Sequence, residues 1–464
     1  MAENVRGFRE HSKSEWTIGR VVGRANAGPG RAIVARGKNS GRWFFLGAMS
    51  ASLSAVLLVI FGIGPGRGFP DPAAQNSRKV PNPSQPLDVS SVIVGDDAIT
   101  FRKHALDLGP CEAVNGIDID RDGVLEIIAC ENWYEQVQKS GQGPQFIKHK
   151  FRDIPYHAPY VEDLGDLVLD VNGDGYPDLV TSSVWSKPLA WWENPGASGG
   201  AWREHTMVTE GAPIEFSFLV DILNSGKPIQ LLPQFAAEKS PLIWYELAPK
   251  GSADPWIKHE ISPRSYGHGI GAGDVNGDGR TDVITPKGWF EAPSNPRNGQ
   301  WVFHSDFELG ATGFIYTEDL NGDGLPDLVT SLGHDYGIFW CEQKRDATGK
   351  RSWVKHLIDD GWSQAHAMTL IDLNEDGRRD LVTGKRYKAH EHDPGANEPL
   401  GVYWYEALQT AKGLQWKRHV IDYSTRAGGG IQIPVMDIDR DGDLDIIVAG
   451  RSGLFLFENL MRSR

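Results

Sequence analysis

The nine residues "DVNGDGRTD", Asp274–Asp282, form a tight acidic loop and decide the fold. Side-chain oxygens stand at positions 1, 3, 5 and 9, and the glycine at position 6 allows a sharp turn. Five further full copies follow the same pattern: "DIDRDGVLE" from Asp118, "DVNGDGYPD" from Asp170, "DLNGDGLPD" from Asp319, "DLNEDGRRD" from Asp372 and "DIDRDGDLD" from Asp437. A decayed copy, "DILNSGKPI", begins at Asp221. Self-similarity at intervals of 45 to 65 residues indicates a repeat architecture.

Each loop is embedded in the same succession of short strands. An apolar run such as "DLVTS" follows the loop, and an aromatic strand ending in Glu, such as "IWYEL", comes next. A last strand carries an aromatic residue and a histidine, as in "WIKHEI". With the strand before the loop, this makes four antiparallel strands per repeat. The sequence therefore predicts an all-β fold: a seven-bladed β-propeller of four-stranded antiparallel blades, spanning residues 89–464.

The two ends of the propeller segment complement each other. "FRKHAL", residues 101–106, has the last-strand pattern but precedes the first repeat. "LFLFENL", residues 454–460, ends the final repeat without such a strand. We expect the N-terminal strand to complete the C-terminal blade and close the ring.

Three N-terminal segments precede the propeller. Residues 1–42 are basic, residues 43–64 contain no charge, and residues 65–88 are a linker rich in Pro and Gly. The apolar segment is long enough for a transmembrane helix, and its basic flank predicts a membrane anchor with the N-terminus inside. A signal peptide or a true start at Met49 are the alternatives. Every version makes the propeller extracytoplasmic, either membrane-anchored or secreted.

Charge and cysteine usage narrow the function. The chain has a net charge of −14, although residues 1–42 carry nine Lys/Arg against three Glu. An acidic propeller excludes nucleic acid as a partner, because a phosphate backbone needs a basic face. The three cysteines (Cys111, Cys130, Cys341) show no even disulfide framework, and we expect three buried thiols.

The acidic loops predict calcium sites. Carboxylate and amide oxygens at alternating positions suit a hard cation, and six copies in register favour structural Ca²⁺ that braces each blade. Turns without metal, held by Asp and Asn side chains, are the alternative. The predicted ligands are Asp118, Asp120, Asp122, Glu126, Asp170, Asn172, Asp174, Asp178, Asp274, Asn276, Asp278, Asp282, Asp319, Asn321, Asp323, Asp327, Asp372, Asn374, Asp376, Asp380, Asp437, Asp439, Asp441 and Asp445.

Chemistry is expected at the opposite end of the first strand of each repeat, at the mouth of the central channel. Four of the seven residues six places before a loop Asp are acid/base or metal-ligating types: Glu112, Glu215, His268 and His366. Loops between the second and third strands reach the same face and add His334, His390, Lys287, Lys385, Arg386 and Tyr387. The histidines of the last strands recur in every repeat and are interpreted as structural. Channel histidines that only form hydrogen bonds are the alternative for His268 and His366.

The loops resemble those of the FG-GAP/VCBS repeat family over about residues 100–460. That family includes adhesive propellers and carbohydrate-active ones. The strings "YGHGIGAGDVNGDGRTD", "GWFEAP" and "TGKRYKAHEHDPG" are similar to the β-propeller domain of aldos-2-ulose dehydratases. The resemblance implies a divalent metal and a keto-sugar substrate. The cupin domains that follow the propeller in those enzymes have no counterpart in this sequence, so an isomerase step is not implied.

Two functions follow. The first is a metal-dependent carbohydrate-active lyase or dehydratase, a carbon–oxygen lyase, acting on a keto-sugar. A divalent ion (Zn²⁺ or Mg²⁺) held by His268 and His366 with Glu112 or Glu215 would polarise the carbonyl, and His334, His390 or a Glu would take the α-proton. The second is a non-catalytic, calcium-stabilised propeller that binds glycan or protein at the cell surface.

Overall fold

The computed structural model describes residues 33–35, 44–46, 91–137, 144–157, 160–184, 188–208, 213–235, 239–387 and 391–462. The chain divides into two units, Met1–Arg78 and Lys79–Arg464. In the first unit, strands β1 (Ile33–Ala35) and β2 (Phe44–Leu46) pair antiparallel.

The predicted membrane segment 43–64 lies outside the described residues except at β2, where the structure has a strand instead of the predicted helix. The basic segment apart from β1, and the linker 65–88, lie outside them too. Within the described ranges, no helix has the length and apolar character needed to cross a membrane.

The second unit is built from strands, and one 3₁₀ turn, Gly196–Ser198, is its only helical element among the described residues. The strands before and in the first two repeats are β3 (Ser91–Gly95), β4 (Thr100–Asp107), β5 (Asn115–Ile117), β6 (Glu126–Ala129), β7 (Asn132–Val137), β8 (Gln145–Lys150), β9 (Tyr156–His157), β10 (Tyr160–Val161), β11 (Gly165–Leu169), β12 (Asp178–Ser182), β13 (Leu189–Glu193) and β14 (Arg203–Val208). The next are β15 (Ile214–Val220), β16 (Gln230–Phe235), β17 (Leu242–Leu247), β18 (Trp256–Ser262), β19 (Ile270–Gly273), β20 (Asp282–Thr285), β21 (Gly288–Glu291) and β22 (Val302–His304). The last are β23 (Thr312–Glu318), β24 (Asp327–Leu332), β25 (Tyr336–Arg345), β26 (Arg351–Ser363), β27 (Met368–Ile371), β28 (Asp380–Gly384), β29 (Gly401–Thr410), β30 (Gly413–Tyr423), β31 (Val435–Met436), β32 (Asp445–Gly450) and β33 (Gly453–Asn459).

Strand pairing follows chain order within each repeat. Four sheets have four antiparallel strands: β5–β8, β11–β14, β15–β18 and β27–β30. An eight-stranded sheet consists of two such runs, β19–β22 and β23–β26, joined by a short parallel contact between their first strands. The predicted all-β, propeller-like arrangement of four-stranded antiparallel sheets is therefore confirmed.

The N-terminal strand completes the last sheet. Strand β4 pairs antiparallel with β33, so that His104 lies opposite Leu456, and β3 adds a fifth strand outside it. The predicted joining of the two ends of the propeller segment is confirmed. The joint ties residues more than 340 positions apart by backbone hydrogen bonds, which leaves the last sheet no open edge at β33.

Neighbouring sheets pack face to face. Leu167 and Trp191 of one sheet share a core cluster with Leu231 and Ile243 of the next. Because both faces of each sheet are covered, second strands such as β12 are buried at every residue and read as continuous apolar runs. Burying each large apolar side chain contributes roughly 1.5–3 kcal/mol.

A repeated triad explains the histidines of the last strands. In six repeats a Trp stacks on the histidine with ring centroids 4.1 to 4.5 Å apart. The glutamate two residues after each Trp is hydrogen-bonded to Nε2 of that histidine. The last sheet keeps the His104–Glu458 pair but has Leu456 in place of the Trp. These histidines hold the third and fourth strands together, as their recurrence predicted.

The acidic loops are braced by their own side chains. The ninth-position aspartates accept one backbone N–H from the start of the loop and one from the end of the third strand, as Asp178 does from Val171 (2.9 Å) and Asn194 (2.8 Å). Glu126 makes the first of these bonds. Burial and the neighbouring loop carboxylates raise the pKa of five ninth-position groups to about 7, and that of Asp445 to about 8. A cation in the loop would relieve this repulsion.

The expectation of three thiols is wrong. Cys111 and Cys130 form a disulfide, and Cys341 alone is a free, buried cysteine. The two half-cystines precede β5 and follow β6, so a contact across the first sheet brings them together. An even framework was not readable from three cysteines.

Candidate functional site

His268 lies two residues before β19, between two glycines with positive φ angles. Gly267 has φ 109° and Gly269 has φ 121°. A Cβ on Gly269 would lie 2.7 Å from the backbone oxygen of Thr312, which is too close for any side chain. The glycines therefore let His268 approach the start of β23.

The structure brings together residues predicted from four different repeats. His268 Nε2 lies 2.8 Å from Glu215 Oε2, and His366 Nε2 lies 3.9 Å from Glu215 Oε1. Glu112 joins the group through Arg386. The shared position six residues before each loop thus corresponds to a shared location in the fold.

A third histidine, His334, comes from the loop between β24 and β25. One ring nitrogen from each of His268, His334 and His366 lies within 4.8 Å of the others. Beside them, a Cβ on Gly333 would lie 3.3 Å from His366 Nε2 and 3.4 Å from His268 Cε1. A side chain at position 333 would crowd the space that the three rings share.

The outer nitrogens of two of these rings are already engaged. His268 Nδ1 donates to the Thr312 carbonyl at 2.8 Å, and His334 Nδ1 lies 2.8 Å from Asp393 Oδ2. These contacts leave the two Nε2 atoms facing each other at 2.9 Å. His268 Nε2 also lies 2.8 Å from Glu215 Oε2, so a proton on this nitrogen bonds either to the carboxylate or to the facing imidazole. Orientation of a ligand histidine by a carboxylate or a carbonyl is usual at metal sites.

His366 is the most enclosed of the three. Its side chain is fully buried, and within the described structure its Nε2 has no hydrogen-bond partner. Burial, followed by the positive charge of Arg386, holds the pKa of His366 well below its usual value. The ring is therefore neutral at pH 7, which is the form that binds metal.

Arg386 links the two predicted glutamates. Its Nε lies 2.7 Å from Glu112 Oε1, and its Nη1 is hydrogen-bonded to Glu215 Oε1. The Arg386 side chain is 3% exposed and that of Glu112 is fully buried. Burial opposes the ionisation of Glu215, but Arg386 and His268 outweigh it and hold the pKa of Glu215 well below its usual range. Glu215 is consequently a carboxylate beside the three rings.

A second buried ionic group joins the first two repeats. Arg152 Nη2 is 2.7 Å from Asp163 Oδ2 and 3.2 Å from Asp166 Oδ1. Burial raises the pKa of Asp163 well above its usual value and that of Asp166 to about 6, although Arg152 works against both shifts. This group contains none of the three histidines.

The ammonium group of Lys385 contacts Ser363 and Glu398. Its ammonium donates to Ser363 Oγ at 2.9 Å and to the Ser363 carbonyl at 3.2 Å, and it pairs with Glu398 at 3.3 Å. Burial lowers the pKa of Lys385. Three contacts occupy its three N–H bonds, so Lys385 secures the loop that contains Glu398.

The other predicted residues are divided. Lys287 is exposed and lies near Gly267, the neighbour of His268. Tyr387 is exposed, and His390 lies outside the described residues. Three residues at the group escaped the sequence reasoning: Gln364, Gly333 and Asp393. Only Asp393 had a signal, since it is the last residue of the histidine-rich string "AHEHD".

Comparison with known proteins identifies one repeat. Residues 319–383 match the FG-GAP-like repeat family model. This segment runs from the Asp319 loop through β27 and β28, and it includes His334 and His366. No curated protein matches the chain. The chain thus contains an FG-GAP-like repeat within a propeller-like all-β fold.

Proposed function

We propose that the sheets form seven blades of one propeller, with the eight-stranded sheet counted as two. Each run of four strands contains one copy of the acidic loop, intact or decayed. We also propose that the six intact loops bind Ca²⁺. Two of them support this directly, because Asp118, Asp120 and Asp122, and likewise Asp437, Asp439 and Asp445, offer oxygens within 4.8 Å of one another. Position 3 of the other four intact loops is Asn, whose oxygen accepts the N–H of position 5.

We propose that the three-histidine group is the centre of a metal-dependent lyase that removes water from a keto-sugar, as aldos-2-ulose dehydratases do. One observation carries the proposal: a ring nitrogen of each of His268, His334 and His366 lies within 4.8 Å of the others. The Nδ1 atoms of His268 and His334 are held by the Thr312 carbonyl and by Asp393, which fixes the orientation of these two rings. Three imidazoles suit Zn²⁺, whereas Mg²⁺ prefers oxygen ligands. A Zn²⁺ ion there would act as a Lewis acid toward a substrate carbonyl.

The chain's own residues supply the remaining chemistry. Glu215 contacts two of the three rings, so it is our candidate base for the α-proton. Its lowered pKa makes it a weak base, so the scheme relies on the Lewis acid to make that proton acidic. Arg386 holds that carboxylate in place. Lys287 is the nearby cation that would stabilise an enolate and protonate the departing hydroxyl, which leaves as water. His334 serves as a ligand in this scheme, since its Nε2 faces that of His268.

Metal analysis and a dehydration assay test this function. Purified protein should hold one tightly bound Zn²⁺ that survives mild removal of calcium, and it should convert 1,5-anhydrofructose or glucosone into an enone detected by its ultraviolet absorbance. His268→Ala and His366→Ala should lose both the zinc and the turnover, while His304→Ala, a strand-clamping histidine, keeps both. Turnover that is unchanged in His268→Ala would refute the assignment. Exchangeable calcium as the only metal would favour a non-catalytic propeller that binds glycan or protein.

We propose an extracytoplasmic location for the propeller, anchored through residues 43–64 or secreted. The Cys111–Cys130 disulfide supports this, because disulfides persist in oxidising compartments. Fractionation of cells that express the full chain, with and without carbonate extraction, separates the anchored form from the secreted one. Recovery in the cytosol would contradict both.

A further inference from the structure

Gln364 lies two residues before His366 and is fully buried. Both polar atoms of its side chain, Oε1 and Nε2, lack a hydrogen-bond partner among the described residues. A buried amide without partners is costly, because it has given up water at both ends and gained nothing. Such a group calls for an explanation.

The backbone of Gln364 is held firmly at the three-histidine group. Its carbonyl accepts the N–H of His366 at 3.1 Å and the N–H of Arg386 at 3.1 Å, and its own N–H donates to the carbonyl of Asp335 at 3.1 Å. Its φ is 63°, a left-handed conformation that is strained for a residue with a side chain. Strain of this kind persists where the surroundings enforce it, and it concentrates at functional sites.

Gln343 shows what a structural glutamine looks like in the same fold. It is equally buried, but its Nε2 donates to the carbonyls of Val275 (3.0 Å) and Pro326 (2.6 Å). Its Oε1 accepts from Arg351 Nε at 3.0 Å. Gln136, another buried glutamine, lacks a partner only at Oε1, because its Nε2 donates to two carbonyls. Among the described glutamines, Gln364 alone is without a partner at both ends of its buried amide.

A second glutamine has one unused atom near His268. Gln234 is 2% exposed, and its Nε2 donates to the carbonyl of Gly267 at 2.7 Å. Its Oε1 has no partner within the described part of the chain. The Oε1 atoms of Gln364 and Gln234 and the N–H₂ group of Gln364 are thus without partners among the described residues, near His366 and His268.

Two cations near the group are already paired with carboxylates. Arg386 is paired with Glu112 and Glu215, and Lys385 with Glu398. An anionic ligand would find no uncompensated cation among these residues, whereas hydroxyl groups donate to amide oxygens and accept from amide N–H.

We propose that Gln364 and Gln234 are ligand-contacting residues of the three-histidine site, and that they bind neutral hydroxyl groups of the ligand. The proposal rests on the proposed function, in that the site must bind a small molecule. Because no hydrogen bond holds the Gln364 amide, its side chain turns toward the ligand without breaking one. The amide is then unpaired in the free protein and ready to bind the ligand, and the free protein is less stable for that reason.

Thermal unfolding of the ligand-free, full-length protein tests the first half. Gln364→Met keeps the shape and removes the amide, so we expect the Tm to rise by about 2 °C. Gln343→Met removes satisfied hydrogen bonds and should lower the Tm. A fall in Tm for Gln364→Met, comparable with that of Gln343→Met, would show that the amide has a structural partner and overturn the proposal.

Binding of glucosone to zinc-loaded protein, measured by titration calorimetry, tests the second half. We expect Gln364→Met and Gln234→Met each to weaken binding about 10-fold with unchanged zinc stoichiometry, and Gln343→Met to bind like wild type. Affinity within twofold of wild type in Gln364→Met overturns the proposal. If the wild-type protein neither binds nor dehydrates a keto-sugar, the proposed function fails. The change in Tm of Gln364→Met then decides by itself whether the Gln364 amide is held without a partner.

Discussion

Removing Arg386 should destabilise the whole propeller. The Arg386 side chain is 3% exposed and lies between Glu112, which is fully buried, and Glu215. In Arg386→Met both carboxylates lose their shared partner, and breaking one buried ion pair costs about 3–5 kcal/mol. Glu112 keeps Arg451 at 3.3 Å and Glu215 keeps His268 at 2.8 Å, so we expect a loss of about 4 kcal/mol and not twice that figure.

Urea unfolding followed by tryptophan fluorescence measures this loss. With a slope of about 3 kcal/mol per molar urea, the midpoint should fall by about 1.3 M. Arg203→Met is the matched control: Arg203 pairs with Glu193 at 2.8 Å but its side chain is 70% exposed, so its loss should cost below about 1 kcal/mol. The double variant Arg386→Met/Glu215→Gln should recover part of the loss, because it removes one of the two stranded charges.

The ion pair of Arg386 and Glu215 also predicts how the stability lost in Arg386→Met depends on pH. In the wild type the pKa of Glu215 is lowered, so its ionised form adds stability above the unfolded pKa of about 4.3 and loses it as the pH falls further. Arg386 is the strongest influence that lowers this pKa, so the pKa of Glu215 should rise in the variant and the penalty should be largest at neutral pH. The gap between wild type and Arg386→Met should therefore narrow from pH 7 to pH 4. A gap that widens toward pH 4, or one no larger than that of Arg203→Met, would refute the reasoning.

Three further predictions concern the acidic loops, the last-strand histidines and the disulfide. The pKa of the ninth-position loop carboxylates is raised to about 7 or 8, so the folded protein loses stability as these groups ionise in that pH range. Added Ca²⁺ should therefore raise the Tm more at pH 8 than at pH 5.5. Equal Tm shifts at the two pH values in a calorimetric scan would contradict this. His259→Ala removes a stack on Trp244 and a 2.9 Å bond to Glu246, and it should cost about 2 kcal/mol in urea unfolding without changing bound zinc; loss of the zinc would argue against a purely structural role. The Cys111–Cys130 disulfide joins residues 19 positions apart, and its reduction should lower the free energy of unfolding by about 3 kcal/mol. The reduced protein should then have the Tm of the Cys111→Ser/Cys130→Ser variant. A Tm that does not change with a reductant would count against the disulfide.

Much of the site could be anticipated because the fold repeats. Counting six residues back from each acidic loop selected Glu112, Glu215, His268 and His366, since equivalent positions of a repeat lie at equivalent places in successive sheets. The same reasoning assigned the histidines of the last strands to structure, and the Trp–His–Glu triads agree with it. Residues on irregular loops followed no such rule. Lys385 and Arg386 are adjacent in sequence, yet one secures a loop and the other joins the two glutamates.

The sequence by itself determined the local units, because turn chemistry, strand alternation and the Trp–His–Glu spacing act over a few residues. Only the tertiary structure decided which side chains from different sheets meet. Glu112 and Arg386 are 274 residues apart, and His268 and His334 are 66 apart. The partnering of Cys111 with Cys130, the facing Nε2 atoms of two histidines and the unpaired amide of Gln364 depend on how separate sheets close around a common centre. Such contacts are set by packing geometry at distances that no local pattern encodes.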